Sequence, residues 1–293
     1  MPANSSIVRP WPGCPLVVAY GLGVDSTAML VEFVHRGIRP DLILFADTGG
    51  EKPETYTYMP VIQRYLKRVG FPPVITVRYV PKRATYHTLE QQCLHTGTLP
   101  SLAYGGKSCS LKYKRAPQDK FILAAYPPDE ILRRGQRVVR AIGFEANEKR
   151  RTYAHVVKAI GLDSGEEHRL TWSRAPSDET KRPSREEWLD QHFFAYWYPL
   201  LEWGYDRARC QQVITRAGLP VPMKSACFFC PASKKKEIVW LREHHPELLD
   251  RALEIERNAQ AKLTSVKGLG RSFSWEAYLS QLDDTPLLDC CGS

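Results

Sequence analysis

Two cysteines separated by two residues, Cys227 and Cys230, carry a strong chemical signal in the sequence. This spacing lets both thiolates turn toward one metal ion or iron–sulfur cluster, and Pro231 follows directly. A redox pair and two merely buried cysteines are the alternatives. Because a metal site of this kind needs four ligands, the pair predicts a metal centre that is completed by residues from elsewhere in the chain.

A glycine turn with the sequence GLGVDST, residues 21–27, is the second signal. An apolar run precedes it and a helical pattern follows, and amides at such a junction bind anions. A Walker loop is excluded because the turn contains no lysine. A dinucleotide-binding turn, with Asp47 as the ribose acid, a pyrophosphatase-type loop and a purely structural turn remain open. In the pyrophosphatase reading Asp25 and Ser26 cap the helix, and the predicted phosphate-binding residues are Tyr20, Gly21, Gly23, Asp25, Ser26 and Thr27.

Four motifs in order along the chain resemble the phosphoadenosine phosphosulfate reductase branch of the ATP pyrophosphatase (PP-loop) superfamily, which has the adenine nucleotide alpha hydrolase-like fold. They are the glycine turn, DTGGEKPET at 47–55, SCSLKYKRAP at 108–117, and IGFE with two following arginines at 142–151. The resemblance covers about residues 16–236. Gly21 and Leu22 depart from the Ser-Gly-Gly order of the family loop. The missing serine hydroxyl predicts a grip that relies on backbone amides, or a nucleotide other than ATP.

The resemblance implies an adenine nucleotide and Mg²⁺ as cofactors. Asp47 and Glu51 would coordinate the Mg²⁺ or orient the nucleotide. Lys112 would bind phosphate, and Arg150 or Arg151 would neutralise charge that develops on phosphorus.

The resemblance also bears on the remaining metal ligands. Cys109 lies within the third motif and is the preferred third ligand. Cys93, ahead of the insertion that begins at Leu99, is the best candidate for the fourth, with a lone buried cysteine as the alternative. Four thiolates suit a four-iron four-sulfur cluster or Zn²⁺, and the family resemblance favours iron and sulfur.

The implied reaction is cleavage of ATP between its α and β phosphates to adenylate a substrate, after which a sulfur nucleophile displaces AMP. DNA or tRNA thiolation is an example of such chemistry. One alternative is a phosphoadenylyl sulfate reductase that uses a cysteine of the tail pair Cys290 and Cys291, although the motif matches only in part. Another is a non-catalytic nucleotide-binding partner in a modification or defence complex. The expected partners are an adenine nucleotide, a sulfur donor, DNA or tRNA, and either a second copy of the chain or a multi-protein complex.

The amino-acid composition is typical of a folded protein, and its net positive charge favours anionic partners. The 293 residues carry a formal net charge of +9, and 43% are hydrophobic. No run approaches the roughly 20 apolar residues of a membrane span, and residues 1–13 do not resemble a signal peptide, so we expect a cytoplasmic protein. In that reducing compartment the eight cysteines are expected to be ligands, nucleophiles or packing residues.

Alternation of apolar runs with helical patterns predicts an α/β fold with a parallel sheet flanked by helices, followed by a mostly helical C-terminal lobe. The two expected domains span residues 1–160 and 161–293. The aromatic string over 188–203 is expected either to stack nucleobases or to form the core of that lobe. The predicted strands cover 15–20, 42–46, 74–79 and 137–143, the loops 96–106 and 164–185, and the helices 28–35, 54–69, a start at 108–115, 185–194, 206–217, 234–244, 246–263 and 274–282.

Overall fold

The computed structural model describes residues 13–151, 170–171 and 184–283, with side chains for all of these except 149–151 and 170–171. Five strands form a parallel sheet in the order β3-β2-β1-β4-β6, and a two-residue strand β5 pairs antiparallel with β6 at the edge. The strands are β1 (Leu16–Tyr20), β2 (Leu42–Asp47), β3 (Val74–Arg78), β4 (Val138–Ile142), β5 (Leu170–Thr171) and β6 (Phe194–Trp197).

Helices follow β1 and β2 as the sequence predicts, and other helices form in segments where no helix is predicted. The helices are α1 (Val24–His35), α2 (Pro53–Arg68), α3 (Leu89–Thr96), α4 (Ser108–Ser110), α5 (Ala116–Ala125), α6 (Pro128–Arg133), α7 (Arg185–Trp188), α8 (Pro199–Glu202), α9 (Arg207–Arg216), α10 (Lys235–His244), α11 (Pro246–Ala259) and α12 (Trp275–Asp283). Two π turns, Leu111–Arg115 and Leu189–Phe193, interrupt this helical structure. Among the described residues no helix has both the length and the apolar character that crossing a bilayer requires.

Strands β1, β2, β4 and β6 are buried on both faces, which explains why they read as nearly continuous apolar runs. Along β1, Leu16, Val18 and Tyr20 point to one apolar cluster and Val17 to another. Alternate residues of a strand face opposite sides, so each strand contributes to two cores at once. The same alternation holds in β6, where Ala195 and Trp197 join the first cluster and Phe194 and Tyr196 the second.

Strand β6 corrects the prediction for the aromatic string. The sequence predicted a helix over 185–194 and assigned the rings that follow to a helical lobe. Instead, α7 and a π turn lead into a strand that pairs with β4, with Val139 opposite Ala195. Within the loop predicted over 164–185, Leu170–Thr171 forms strand β5. Residues 164–169 and 172–183 of that prediction lie outside the described part of the chain.

The chain divides into two compact units. Unit 1 consists of Met1–Ala46, Pro53–Val77 and Gln118–Ser225, as far as these are described, and it holds most of the sheet with its flanking helices. Unit 2 consists of Asp47–Lys52, Arg78–Pro117 and Ala226–Ser293, again as far as described, and it is mainly helical. The predicted boundary at residue 160 does not coincide with this division, because each unit is assembled from three segments.

Candidate functional site

The glycine turn of unit 1 is a tight, internally bonded loop between β1 and α1. The Gly21 N–H donates to Ser26 Oγ at 3.2 Å, and Ser26 Oγ donates to the Gly23 carbonyl, also at 3.2 Å. Leu22 adopts a left-handed conformation with φ 58°, where the family loop has a glycine. A branched side chain at that φ is strained, so this loop holds a conformation that its sequence does not favour by itself.

Helix α1 begins without a side-chain cap, and this overturns the expectation that Asp25 and Ser26 cap it. The N-cap residue is Gly23, which has no side chain, and within the described residues α1 has no side-chain cap hydrogen bond. Asp25 instead pairs with Arg207 at 3.0 Å, while the Ser26 hydroxyl bonds within the loop. The amides and the positive end of the helix dipole therefore keep their capacity to bind an anion.

Two neighbours fix the shape of this turn. At the end of β4, a Cβ on Gly143 would lie 2.8 Å from Ser26 Cα and 2.9 Å from Ser26 N. A Cβ on Gly23 would lie 2.8 Å from the Oγ of Ser225, the last residue of unit 1. Gly143 packs directly against the backbone of the turn, so a side chain there would displace that backbone, and a side chain on Gly23 would displace the Ser225 hydroxyl. Backbone amides at the start of a helix that has no side-chain cap can bind a phosphate group.

Tyr20 and Thr27 lie beneath the turn. Both are buried, and the Tyr20 hydroxyl shares a hydrogen bond of 3.0 Å with Thr27 Oγ1. Burial raises the pKa of Tyr20, and the bond to Thr27 offsets this only in part. Both predicted residues therefore support the loop from within the core.

The four predicted metal ligands all belong to one apolar cluster of unit 2. Cys93 and Cys227 are buried in that cluster, and Cys109 and Cys230 are partly buried against it. The Cys230 N–H donates to the Cys227 carbonyl at 3.0 Å, which closes a tight turn around the pair. The two cysteines assigned to packing, Cys14 and Cys210, lie in a different cluster in unit 1.

Burial keeps the deeper thiols protonated. It raises the pKa of Cys93 to about 12, with repulsion from Cys109 and then Glu90 adding to the effect. It also raises the pKa of Cys227 to about 12, and there repulsion from Glu51 acts against attraction to Lys114. A metal ion would reverse this preference, because a coordinating thiol is deprotonated outright.

Thiolates suit Zn²⁺ or an iron–sulfur cluster, and the four predicted ligands lie in one unit. Cys227 Sγ and Thr48 Oγ1 share a hydrogen bond of 3.2 Å. In the part of the chain that the structure describes, no three Cys, His, Asp or Glu side chains are grouped as a metal ion would require. The metal centre and its four ligands stay a prediction.

Asp47 forms a turn at the end of β2. Its Oδ2 accepts hydrogen bonds from Arg78 at 2.9 Å (Nε) and 2.7 Å (Nη2), and its Oδ1 accepts one from the Gly49 N–H at 2.8 Å. A carboxylate held in this way organises the backbone that follows. Coordination of Mg²⁺ by Asp47 stays a prediction.

Glu51 has a different environment. Its side chain is fully buried, and its Oε1 accepts a bond of 3.1 Å from Lys114 Nζ. Its Oε2 is buried and has no hydrogen-bond partner among the described residues. Burial alone would lower the pKa of Lys114, but attraction to Glu51, and then to Cys227, outweighs it and raises that pKa. The sequence places Lys114 in a basic cluster with Lys112 and Arg115, and the local pattern does not single it out.

Lys112, the predicted phosphate ligand, points into a cage of tyrosines. Its ammonium lies 4.8 Å from the Tyr79 ring centroid and 4.7 Å from that of Tyr86, and it donates to Gln92 Oε1 at 2.6 Å. The charge of Lys112 is therefore engaged by aromatic rings and an amide oxygen within unit 2. Arg150 and Arg151 lie in a 3-10 turn, Ala146–Arg151, but their side chains are outside the described part of the structure, as are Cys290 and Cys291.

A scan against protein-family models and a search of curated proteins both found no match to this chain. The family interpretation therefore rests on the four motifs, and the chemical interpretation on the geometry of the two units.

Proposed function

We propose that the chain is an enzyme that binds ATP at the glycine turn, cleaves it between the α and β phosphates to adenylate a substrate, and passes that substrate to a sulfur nucleophile. The observation that carries this proposal is the uncapped start of α1. Its N-cap residue is Gly23, so within the described residues no N-cap side chain occupies the first-turn amides, and Gly143 packs directly against the backbone of the turn. A polyphosphate is the ligand that best matches amides and a helix dipole arranged in this way.

The chain's own residues position the reaction. The loop amides would hold the departing pyrophosphate and stabilise the charge that it gains. The Ser26 hydroxyl and the Tyr20–Thr27 bond fix the loop before the nucleotide arrives, so little reorganisation is needed on binding. When bound, Mg²⁺ would neutralise phosphate charge.

The chemistry balances in two displacements. An oxygen of the substrate attacks the α phosphorus, the α–β phosphoanhydride bond breaks, and pyrophosphate leaves with the electron pair. A sulfur nucleophile at the oxidation level of sulfide then attacks the substrate atom that bears the adenylated oxygen; the bond from that atom to the oxygen breaks, and AMP leaves with the oxygen and the electron pair. The net positive charge of +9 favours a polyanionic substrate, and we propose DNA or tRNA as the acceptor.

The thiols of unit 2 belong to the sulfur half of this proposal. Four cysteines around one apolar cluster suit a four-iron four-sulfur cluster, with Zn²⁺ as the alternative. Anaerobic purification followed by iron, sulfide and zinc analysis tests this part. About four irons and four sulfides per chain support sulfur transfer, about one zinc makes the cysteines structural, and neither element removes the metal centre.

The test of the reaction is release of labelled pyrophosphate from ATP in the presence of candidate nucleic acid and sulfide. Release that depends on nucleic acid and falls in a Gly23→Ala variant supports the proposal, because a Cβ at that position meets Ser225 Oγ at 2.8 Å. Absence of pyrophosphate under every condition refutes it. Tight ATP binding without turnover would indicate a non-catalytic nucleotide-binding protein. Sulfite release from phosphoadenylyl sulfate that is lost when Cys290 and Cys291 are changed to Ser would indicate a reductase.

A further inference from the structure

The glycine turn has no hydroxyl at Gly21, but the hydroxyl of Ser225, from a distant part of the sequence, lies beside it. Gly21 stands where the resembling family loop has a serine. Ser225, 204 positions later in the sequence, places its Oγ 3.6 Å from where a Cβ on Gly21 would be and 2.8 Å from where a Cβ on Gly23 would be. The hydroxyl therefore lies over the two glycines of the turn.

The segment that carries Ser225 is attached to unit 1. The Tyr58 hydroxyl donates to the Pro220 carbonyl at 2.9 Å, and Pro222 is buried. Ser225 itself is partly buried. These contacts fix the backbone near Ser225 in unit 1, so Ser225 lies beside the turn as part of the folded unit.

The Ser225 hydroxyl makes no hydrogen bond within the described residues, although it lies next to a loop that is otherwise internally bonded. A serine hydroxyl has one donor and two acceptor sites, and a partly buried one normally uses them. At this position its natural acceptor would be an anionic oxygen held by the amides of the turn.

We propose that Ser225 supplies the phosphate-binding hydroxyl that Gly21 lacks, so that the nucleotide site is built from two segments that are remote in sequence. The inference rests on the proposed function, because it needs a polyphosphate at the turn. Ser225 donates its hydroxyl hydrogen to an oxygen of the β or γ phosphate. A hydrogen bond to a charged oxygen is stronger than one between neutral groups, so its loss has a measurable effect on affinity.

The experiment is a double-mutant cycle on the full chain, read by isothermal titration with ATP, inorganic pyrophosphate and AMP. Ser225→Ala should weaken the binding of ATP and of pyrophosphate about 10- to 100-fold and leave the affinity for AMP nearly unchanged. Gly21→Ser should restore most of this loss in the Ser225→Ala background and add little to the wild type. A serine fits at Gly21, since a Cβ there meets its nearest atoms at 3.6 and 3.9 Å and φ is not in the left-handed region.

Ser233→Ala is the matched control, because Ser233 is also partly buried and lies outside the turn. Circular dichroism confirms that each variant is folded, and the Gly21→Ser comparison remains informative if Ser225→Ala alone is unstable. If wild type binds ATP and both Ser225→Ala and the double variant bind it equally well, Ser225 has no role and the proposed function stands. If wild type binds neither ATP nor pyrophosphate, the proposed function fails and this inference fails with it.

Discussion

Substitution of Gly143 by alanine tests whether β4 sets the shape of the glycine turn. The added Cβ would lie 2.8 Å from Ser26 Cα, 2.9 Å from Ser26 N and 3.0 Å from the Asp25 carbonyl carbon. Carbon atoms in contact normally lie about 3.5–4.0 Å apart, so the shortest distance, to Ser26 Cα, is about 0.7 Å or more below an ordinary contact distance. All three neighbours are backbone atoms at the start of α1 and cannot rotate away, so either the helix or the strand must move.

Overpacking of this kind costs about 1–3 kcal/mol, which corresponds to a fall in melting temperature of about 2–12 °C for a domain of this size. Because the displaced backbone is the anion-binding turn itself, we also expect ATP affinity to fall by about tenfold or more. Thermal unfolding followed by circular dichroism and titration calorimetry with ATP measure the two effects.

Gly21→Ala is the matched control for the steric argument, because its Cβ would make only ordinary contacts at 3.6 and 3.9 Å. Its melting temperature should stay close to that of the wild type or rise slightly, since alanine reduces the entropy of the unfolded chain. A Gly143→Ala protein with wild-type melting temperature and wild-type ATP affinity would refute the reasoning.

Three further predictions concern stability. Burial, followed by repulsion from Asp25, raises the pKa of Cys210 from 9.0 to about 12. This thiol therefore stabilises the fold below pH 9, and its contribution is lost as the pH rises from 9 to 12. Between pH 8 and 10 the free energy of unfolding should fall by about 1.4 kcal/mol more in the wild type than in Cys210→Ala, measured by urea titration under reducing conditions. Asp119→Ala should cost about 3–5 kcal/mol, because it removes the carboxylate that pairs with the buried Arg140 guanidinium, and equal urea midpoints would contradict this. Glu256→Gln should lower the melting temperature, because the buried Glu256 carboxylate accepts four hydrogen bonds from 269–276, and hydrogen exchange should speed up in that segment and not in β1.

The first half of the sheet could be predicted from local pattern, and β6 could not. In the segment from β1 to β3, short apolar runs ended by glycine or an acidic residue alternate with amphipathic helices. Strand β6 has only four residues, all aromatic or alanine, and both of its faces are buried. Its side chains therefore show no period that separates a strand from a packed helix. Only the pairing with β4, more than 50 residues earlier, determines its conformation.

The candidate site shows the same limit. The glycine turn and the Cys227–Cys230 pair are short motifs, and the sequence located both. The cap of α1, the position of Lys112 and the proximity of Ser225 depend on contacts that no local pattern contains. Lys112 and Lys114 both lie in the π turn Leu111–Arg115, and side-chain directions in a π turn do not follow the period of an ordinary helix.

The assembly of unit 2 from three separate segments affects how the protein is made. The partners Thr48 and Cys227 are separated by 179 positions in the sequence. At about 5–20 residues per second, a ribosome needs about 10–35 seconds to travel from one to the other. During that interval Thr48, Glu51 and Cys93 have no partners from the last segment. Loading of any metal held by all four predicted ligands must therefore wait until Cys230 has been synthesised, and the nascent chain exposes its first thiols to oxidants before then.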